Sequence, residues 1–341
     1  MRTLVISDLH LGMRYERDVL RRPAPLAVLL EALADVQRLV LLGDVVELSE
    51  RHSADAMRAA EPVLRALGRR VGPDREVILV PGNHDRRFVA PWIQEMGDRL
   101  SVDSSPPLDA TPELAAASSW LAPARVSARY PGVWLSERVW ATHGHYLNRD
   151  LVPAWSLGIT RGHLGRLPRE AARPIDYEPA GGRSVRSAHE AFSGALPEPL
   201  AGAADRLGVL ARAATMAKAS RKLLRPELAR ANAGLLSLQT KVASIPALIH
   251  VTQCLGIDAD YVIFGHVHRL GPLPDDDEAD WEGAGGKPRI VNTGSWLYEP
   301  LLVQDATPPD PYWPGGAAIL GEEADPEAVG LLDAMPASEL Q

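Results

Sequence analysis

Cysteine is almost absent from this 341-residue sequence, and long apolar runs are absent altogether. The single cysteine, Cys254, excludes an intramolecular disulfide framework and fits a reducing compartment. No run reaches the ~18 apolar residues of a membrane-spanning helix, and Asp8 interrupts the N-terminal stretch before a signal-peptide core could form. These absences predict a cytoplasmic protein without a transmembrane segment.

Basic residues are too few to balance the acidic ones. The chain has 36 Lys and Arg against 44 Asp and Glu, a formal net charge of −8, which disfavours a protein wrapped in nucleic acid. The charge is segregated, because residues 146–250 carry 15 Lys and Arg against 8 Asp and Glu, a net charge of +7. The rest of the chain therefore carries −15, and any basic surface is concentrated in this stretch.

Short apolar runs that end abruptly at polar residues or glycine are the main structural signal. Segments with helical spacing of apolar residues, such as 26–33 and 57–67, separate the early runs. Strand, helix and strand in succession predict a layered α/β core whose C-terminal strand ends meet at one crevice. The predicted strands are Leu4–Ile6, Leu39–Leu42, Val77–Val80, Val139–Ala141, Tyr261–Phe264 and, later in the chain, Arg289–Val291.

Residues 146–250 interrupt this pattern. They begin rich in Pro, Gly and Arg and continue with Ala, Leu and Arg at helical spacing, which predicts a helical insertion. A basic lid beside an acidic core would attract an anionic substrate, and its apolar helix faces could hold an acyl chain or contact a membrane surface. We expect a core of residues 1–145 and 251–320, this insertion as the lid, and a loose acidic tail over 321–341.

Side chains that can bind a metal or carry a proton follow five of the runs. In an extended stretch, residues i and i+2 point the same way, so Asp-x-His and His-x-His each offer two atoms to one site. A mixed set of carboxylate, imidazole and amide oxygen without thiolate suits Mn²⁺, Fe or Zn²⁺. A carboxylate on a tight Gly-Asp turn can bridge two ions about 3.5–4 Å apart. The residues are Asp8, His10, Asp44, Asn83, His84, Asp85, His143, His145, His266 and His268.

Each of these motifs alone is also compatible with an ordinary polar loop, but their order is informative. The blocks SDLHLG, LLGDVVE, PGNHD, THGH and FGHVHR closely resemble the calcineurin-like metallophosphoesterase family, over roughly residues 1–145 and 251–300. The resemblance implies a four-layer αββα sandwich of two mixed β-sheets flanked by helices. It also implies hydrolysis of a phosphoric ester by hydroxide held between two divalent ions, with Mn²⁺ favoured over Fe or Zn²⁺.

The same resemblance implies a role for each motif residue. The expected ligands form two sets that share one bridging carboxylate: Asp8, His10 and His268 for one ion, Asn83, His143 and His266 for the other, and Asp44 between them. His84 is expected to act on the scissile phosphate, with Asp85 as its orienting partner. The candidate substrate contacts, for which solvated surface or loop residues are the alternative, are Arg86, Arg87, His145 and Arg269.

The substrate is open at this stage. The SDLHLG opening, the GDxxE block with Glu47 and the insertion look like the UDP-2,3-diacylglucosamine pyrophosphatase subgroup, which would imply a lipid-linked substrate. The longer insertion, GNHD in place of GNRD and HGH in place of HGD depart from that subgroup. A small-molecule phosphomonoester, phosphodiester or pyrophosphate is an equal prediction. A nuclease is disfavoured by the acidic core, and a non-catalytic scaffold is disfavoured because no ligand position is missing.

Overall fold

Within the part of the chain that the structure describes, twelve strands in two six-stranded sheets form the centre of the fold. The structure is a computed structural model that describes residues 2–13, 16–49, 53–151, 171–178, 226–322 and 324–341. In these ranges the strands are Thr3–Ile6 (β1), Arg38–Leu41 (β2), Glu76–Leu79 (β3), Asp103–Ser104 (β4), Arg125–Ala128 (β5), Tyr130–Trp134 (β6), Val139–Thr142 (β7), Tyr261–Phe264 (β8), Leu270–Gly271 (β9), Arg289–Thr293 (β10), Gly316–Leu320 (β11) and Glu327–Gly330 (β12).

Both sheets are mixed, as the family resemblance implies. The first has the order β12-β11-β1-β2-β3-β5. Strands β1, β2, β3 and β5 run parallel to one another, whereas β11 is antiparallel to both of its neighbours. The second has the order β4-β6-β7-β8-β10-β9, and β7, β8 and β10 run parallel. The six runs predicted as strands correspond to β1, β2, β3, β7, β8 and β10.

Helices cover the outer faces of the sheets. The α-helices in the described ranges are Pro23–Ala32 (α1), Ser53–Val71 (α2), Ala90–Met96 (α3), Pro112–Trp120 (α4), Pro174–Tyr177 (α5), Pro226–Gln239 (α6), Ile245–Cys254 (α7), Pro300–Val303 (α8) and Ala337–Leu340 (α9). A π-helical turn, Thr240–Ser244, joins α6 to α7. Short 3₁₀ helices lie at Val19–Arg21, Arg86–Phe88, Gly97–Arg99, His145–Arg149 and Glu278–Trp281.

Apolar side chains pack on both faces of each sheet. Between the sheets, Val40 of the first sheet and Ile263 of the second belong to one buried cluster. On the outer face of the first sheet, Leu39 packs in a cluster with Leu64 of α2, and Leu248 of α7 lies on the outer face of the second. Strands buried on both faces have continuous apolar sequences, which explains why the runs were visible. The result is the four-layer sandwich of helix, sheet, sheet and helix.

The register of the parallel strands aligns the loops that follow them. Ile6 of β1 pairs with Leu41 of β2, and Leu41 pairs with Leu79 of β3. In the second sheet, Thr142 of β7 pairs with Phe264 of β8. The C-terminal ends of these five strands therefore lie at common sheet edges, where loops of a layered α/β fold converge on a crevice.

The acidic C-terminal stretch, residues 321–341, was expected to be a loose tail, but its described residues pack on the core. Strand β12 pairs antiparallel with β11, and Leu332 and Leu340 are buried. A short edge strand needs few large apolar residues, so the low apolar content of 321–341 was a poor guide to its structure.

Only part of the predicted insertion is described. Residues 146–151, 171–178 and 226–250 are described, whereas 152–170 and 179–225, with much of the Ala/Leu/Arg pattern, lie outside the described residues. Among the described helices, none combines the length and apolarity needed to cross a bilayer.

Candidate metal centre

Loops at the ends of β1, β2, β3, β7 and β8 bring the predicted ligands together. Three groups of side chains within the described ranges have ligand atoms that lie within 4.8 Å of one another. Asp44 belongs to two of them, and so does His10. The groups are Asp8, His10 and His268; His10, Asp44 and His84; and Asp44, His143 and His266. The first has the residues expected for one ion, the third has His143 and His266 of the other expected set together with Asp44, and the second adds His84.

Strained backbone conformations mark the same residues. Of the seven described non-glycine residues with positive φ, five are predicted ligands: Asp8 (54°), His10 (43°), Asp44 (53°), His266 (70°) and His268 (58°). A non-glycine residue in the left-handed region costs about 1–3 kcal/mol and persists only where its surroundings hold it. Here the N–H of Asp8 donates to the carbonyl of Gly43, and that of His10 to Asp44. Such strain concentrates at functional sites.

Two glycines allow the loops to approach this closely. A Cβ at Gly82 would lie 2.3 Å from Oδ1 of Asp44, and one at Gly43 would lie 2.4 Å from the ring of His143. Gly43 also has a φ of +89°, which side chains rarely tolerate. The glycine before Asp44 and the glycine before Asn83 are therefore required by packing against the site.

Hydrogen bonds to the outer ring nitrogens orient the histidines. His143 Nδ1 lies 3.0 Å from the carbonyl oxygen of Leu42, which can only accept, so Nδ1–H is the donor. Its Nε2 then faces Oδ2 of Asp44 and Oδ1 of Asn83, both at 3.2 Å. Anchoring of one nitrogen by an acceptor is the usual way a protein presents the other to a metal.

His266 is anchored through its other ring nitrogen, Nε2, by a residue that the motifs did not indicate. Its Nε2 lies 3.0 Å from Oδ1 of Asn148, which leaves Nδ1 as the free ring nitrogen. Asn148 lies in the 3₁₀ helix His145–Arg149 and is buried. Its position five residues after His143 was the only sequence signal, and that is too weak to single it out.

Two buried polar atoms of the expected ligand side chains lack a hydrogen-bond partner among the described residues. They are Oδ1 of Asp8 and Nε2 of His10, 3.8 Å apart. The Nε2 atom of His268 lies 3.1 Å from the same Asp8 oxygen. Buried polar atoms are almost always satisfied, and a carboxylate grouped with two imidazoles suits a divalent cation. The side chains present therefore fit a metal ion at this position.

The ionisation of the cluster also fits a cation site. Burial alone would raise the pKa of Asp8 and Asp44, but attraction to neighbouring histidines, His268 and His143 foremost, holds both pKa values below their usual range. Burial would lower the pKa of His143, but Asp44 and Asp8 outweigh it and raise that pKa to about 9. The carboxylates are thus balanced by protons on the rings, and a bound cation would replace those protons.

Comparison with protein-family models matches residues 1–171, half of the chain, to the calcineurin-like phosphoesterases. The matched range contains the motifs of Asp8, Asp44, Asn83 and His143. The chain belongs to the calcineurin-like phosphoesterase family. It is therefore a metal-dependent phosphoric ester hydrolase.

Other comparisons add less to this assignment. A solved structure of a dimetal phosphatase from Danio rerio is similar to this phosphoesterase, with 12% sequence identity and a TM-score of 0.36, and the match covers 97% of this chain and 99% of that one. No curated protein matches the sequence. The assignment rests on the family match.

Asp85, the expected partner of His84, contacts backbone groups in the phosphoesterase. Its carboxylate accepts hydrogen bonds from the N–H groups of Gly82 (2.6 Å), Val45 (2.7 Å) and Asp44 (3.3 Å). These bonds join the loop after β3 to the loop after β2. The contact to Nδ1 of His84, at 2.7 Å, comes instead from Oε2 of Glu47.

The four candidate substrate contacts of the phosphoesterase all have partners within the protein. Arg269 is buried, lies 5.0 Å from the ring centroid of Trp281 and pairs with Asp276, so its guanidinium has a structural role. Arg87 is the most exposed of the three arginines and retains the most freedom to reach a ligand. The remaining contacts are Arg86 with Glu178 at 2.7 Å, Arg87 with Glu113 at 3.4 Å, and His145 with the hydroxyl of Tyr130 at 3.3 Å.

Proposed function

We propose that this phosphoesterase uses two divalent ions to hydrolyse a phosphomonoester, phosphodiester or pyrophosphate. One observation carries the proposal: Oδ2 of Asp44 lies 3.2 Å from Nε2 of His143 and 3.7 Å from Nε2 of His10, between the two ligand groups. A carboxylate in that place can bridge two ions about 3.5–4 Å apart. The proposed ligands are Asp8, His10 and His268 for one ion, Asn83, His143 and His266 for the other, and Asp44 for both.

The ligand set favours some ions over others. Imidazole nitrogens mixed with carboxylate and amide oxygens, without thiolate, favour Mn²⁺, with Fe and Zn²⁺ as alternatives. Two such ions, when bound, supply neutralisation of the phosphoryl oxygens and a water acidic enough to attack phosphorus near neutral pH. The protein holds its ligands in place before binding, because the strained loops and the anchored rings fix their directions.

His84 is proposed to act on the substrate. Its Nε2 lies 4.0 Å from Oδ2 of Asp44, and a third of its side chain is exposed, so the ring reaches from the ligand cluster to solvent. Burial would lower the pKa of His84, but the charge of Asp44 and the hydrogen bond that Nδ1–H donates to Glu47 raise it. A protonated ring at this edge can donate Nε2–H to the leaving oxygen as the ester bond breaks.

A lipid-linked substrate is a second candidate. Glu47, the acidic residue of the GDxxE block, is buried beside His10 and His84, and α2 begins only at Ser53. Glu47 therefore belongs to the site and lies outside that helix. This favours the resemblance to the UDP-2,3-diacylglucosamine pyrophosphatases, whereas the departures in the GNHD and HGH blocks favour a smaller ester.

We also propose that the insertion, residues 146–250, helps to select the substrate. It begins three residues after His143 in the sequence and carries a net charge of +7, whereas the rest of the chain carries −15. Its described part contacts the site, because Glu178 pairs with Arg86, which directly follows Asp85. Positive charge close to the crevice would speed the association of an anionic substrate.

The proposal is tested by hydrolysis of p-nitrophenyl phosphate and bis-p-nitrophenyl phosphate with added Mn²⁺, followed by a panel of nucleotides and of nucleotide and lipid pyrophosphates. Asp44→Asn protein and wild-type protein with EDTA are the controls. We expect turnover of at least one ester that both controls abolish. If the wild-type protein hydrolyses none of the compounds faster than the Asp44→Asn protein does, the proposal is contradicted.

A further inference from the structure

One carboxylate oxygen in the site is shared by two histidines with different proposed roles. Oε2 of Glu47 lies 2.9 Å from Nδ1 of His10 and 2.7 Å from Nδ1 of His84. The two rings meet edge to face, with centroids 4.6 Å apart and an interplanar angle of 81°. His10 is a proposed metal ligand, and His84 is proposed to act on the substrate.

Glu47 is itself held on every side. Its Oε1 accepts hydrogen bonds from the N–H of Ser49 at 3.2 Å and from the hydroxyl of the same residue, and its own N–H donates to the carbonyl of Leu11 at 3.1 Å. The side chain is 4% exposed. A carboxylate fixed in this way cannot move with one histidine ring without breaking its hydrogen bond to the other.

The Glu47 oxygen is the contact that both rings share, and the hydroxyl of Ser49 also lies 3.0 Å from Nδ1 of His84. Because each Nδ1 faces Glu47, each Nε2 faces the crevice. The Nε2 atom of His10 lies 3.7 Å from Oδ2 of Asp44, and the Nε2 atom of His84 lies 4.0 Å from the same oxygen. A single residue thereby sets the position of a ligand nitrogen and of a proton-donating nitrogen relative to the bridging carboxylate.

We infer that Glu47 is a positioning residue that couples the metal position formed by Asp8, His10 and His268 to the orientation of His84. The inference rests on the proposed two-ion function and deepens it. Glu47 acts through the two rings and does not contact substrate. An acceptor on the outer nitrogen of a ligating histidine is commonly worth about 10–100-fold in metal affinity.

The first test is calorimetric titration of Mn²⁺ into metal-free Glu47→Gln protein, which keeps the volume of the side chain but removes its charge. We expect the affinity for one of the two ions to fall by about 10–100-fold while the other changes little. Glu61→Gln is the matched control, because Glu61 is a partly exposed residue of α2 that pairs only with Arg65 among the described contacts. Unchanged affinity for both ions in Glu47→Gln would overturn the inference.

The second test asks whether Glu47 acts through His84. At saturating Mn²⁺, kcat is compared for Glu47→Gln, His84→Gln and the double variant on bis-p-nitrophenyl phosphate. Residues that act as a unit give non-additive losses, so the double variant should be no slower than His84→Gln. Losses that multiply in the double variant would show that Glu47 acts independently of His84 and would overturn the coupling.

The two tests separate this inference from the proposed function. If wild-type protein binds two Mn²⁺ ions but hydrolyses no ester, the proposed function fails, while the titration still decides whether Glu47 supports one ion. Should Glu47→Gln not fold, Ser49→Ala removes one of the two donors to Oε1, together with the hydroxyl that lies 3.0 Å from Nδ1 of His84, and should cause a smaller loss of affinity for the same single ion. An equal loss of affinity for both ions, or no loss of affinity, would count against the positioning role of Glu47.

Discussion

The Oδ2 atom of Asp44 lies 3.2 Å from the Nε2 atom of His143. Asp44 follows β2 in the first sheet and His143 follows β7 in the second, so this contact joins the two sheets at the ends of their central strands. The contact places a carboxylate between ring nitrogens from both sides of the sandwich. The two-ion mechanism depends on that placement.

Replacing His84 with Gln should slow chemistry without removing metal. The ring is partly exposed and its Nε2 is 4.0 Å from Asp44, so it borders the ligand cluster while still reaching the substrate. We expect kcat to fall by about 10²-fold or more, the usual contribution of a general acid, with metal content nearly unchanged. Steady-state kinetics and metal analysis on the same preparation measure both.

His250→Gln is the matched control for this variant. His250 lies on α7, is partly exposed and pairs with Asp150 at 2.7 Å, outside the three ligand groups. It should retain wild-type kcat. Loss of metal in His84→Gln equal to its loss of activity would make His84 a ligand instead.

Metal-free protein should become less stable as the pH rises. Asp44 raises the pKa of His143 in the folded protein to about 9, above its ordinary value of 6.5. A group with a raised pKa contributes stability that is present below its unfolded pKa and is lost as the pH rises through the folded pKa. His10 and His84 shift in the same direction. In EDTA, Tm should therefore fall between pH 6.5 and pH 9.

Bound metal should reverse this trend. A ligating imidazole must lose its proton, so the stabilisation by Mn²⁺ should grow over the same pH interval. Thermal unfolding with and without Mn²⁺ at a series of pH values measures the difference. His143→Gln should flatten the fall in Tm of the metal-free protein. A metal-free Tm that rises from pH 6.5 to 9 would contradict the charge balance described for the site.

Replacing residues 180–224 with a short Gly/Ser linker tests whether the insertion selects substrate. This boundary keeps Glu178, whose carboxylate accepts from the hydroxyls of Tyr130 (2.5 Å) and Tyr146 (2.7 Å), and it keeps α6, in which Asn232 bonds to the backbone of α8. We expect metal content and turnover of bis-p-nitrophenyl phosphate to persist. The kcat/KM on the best natural ester from the panel should fall sharply.

Two outcomes of the linker replacement would contradict substrate selection by the insertion. Equal loss of both activities would indicate a structural role for residues 180–224. Full retention of both activities would show that this stretch does not choose the substrate.

Much of the site could be predicted because its signals are local. Strands such as β1 and β8 are buried on both faces, so they have continuous apolar sequences, and the polar residue that ends each run lies where parallel strands end together. Asp8 and His10, or His266 and His268, are close in sequence and share a loop. Asp8, His10 and His268, which the motifs assign to one ion, form one of the three groups in the structure.

Contacts made across loops could not be predicted in this way. Glu47 reaches His84 and Asp85 reaches backbone groups because the loops after β2 and β3 run side by side, which no spacing in the sequence reveals. Arg269 follows a ligand motif, yet its partner Asp276 arrives from the acidic loop that follows. Asn148 has no motif of its own.

The most direct test of the central claim is the number of divalent ions that the full-length protein binds. Metal analysis and calorimetric titration of Mn²⁺ or Zn²⁺ into metal-free protein should give two ions per chain. Asp44→Asn should weaken both sites, since Asp44 lies between the two groups, whereas Asp8→Asn should weaken mainly one. Binding that never exceeds one ion per chain, or an Asp44→Asn protein that loses only one ion, would contradict the account.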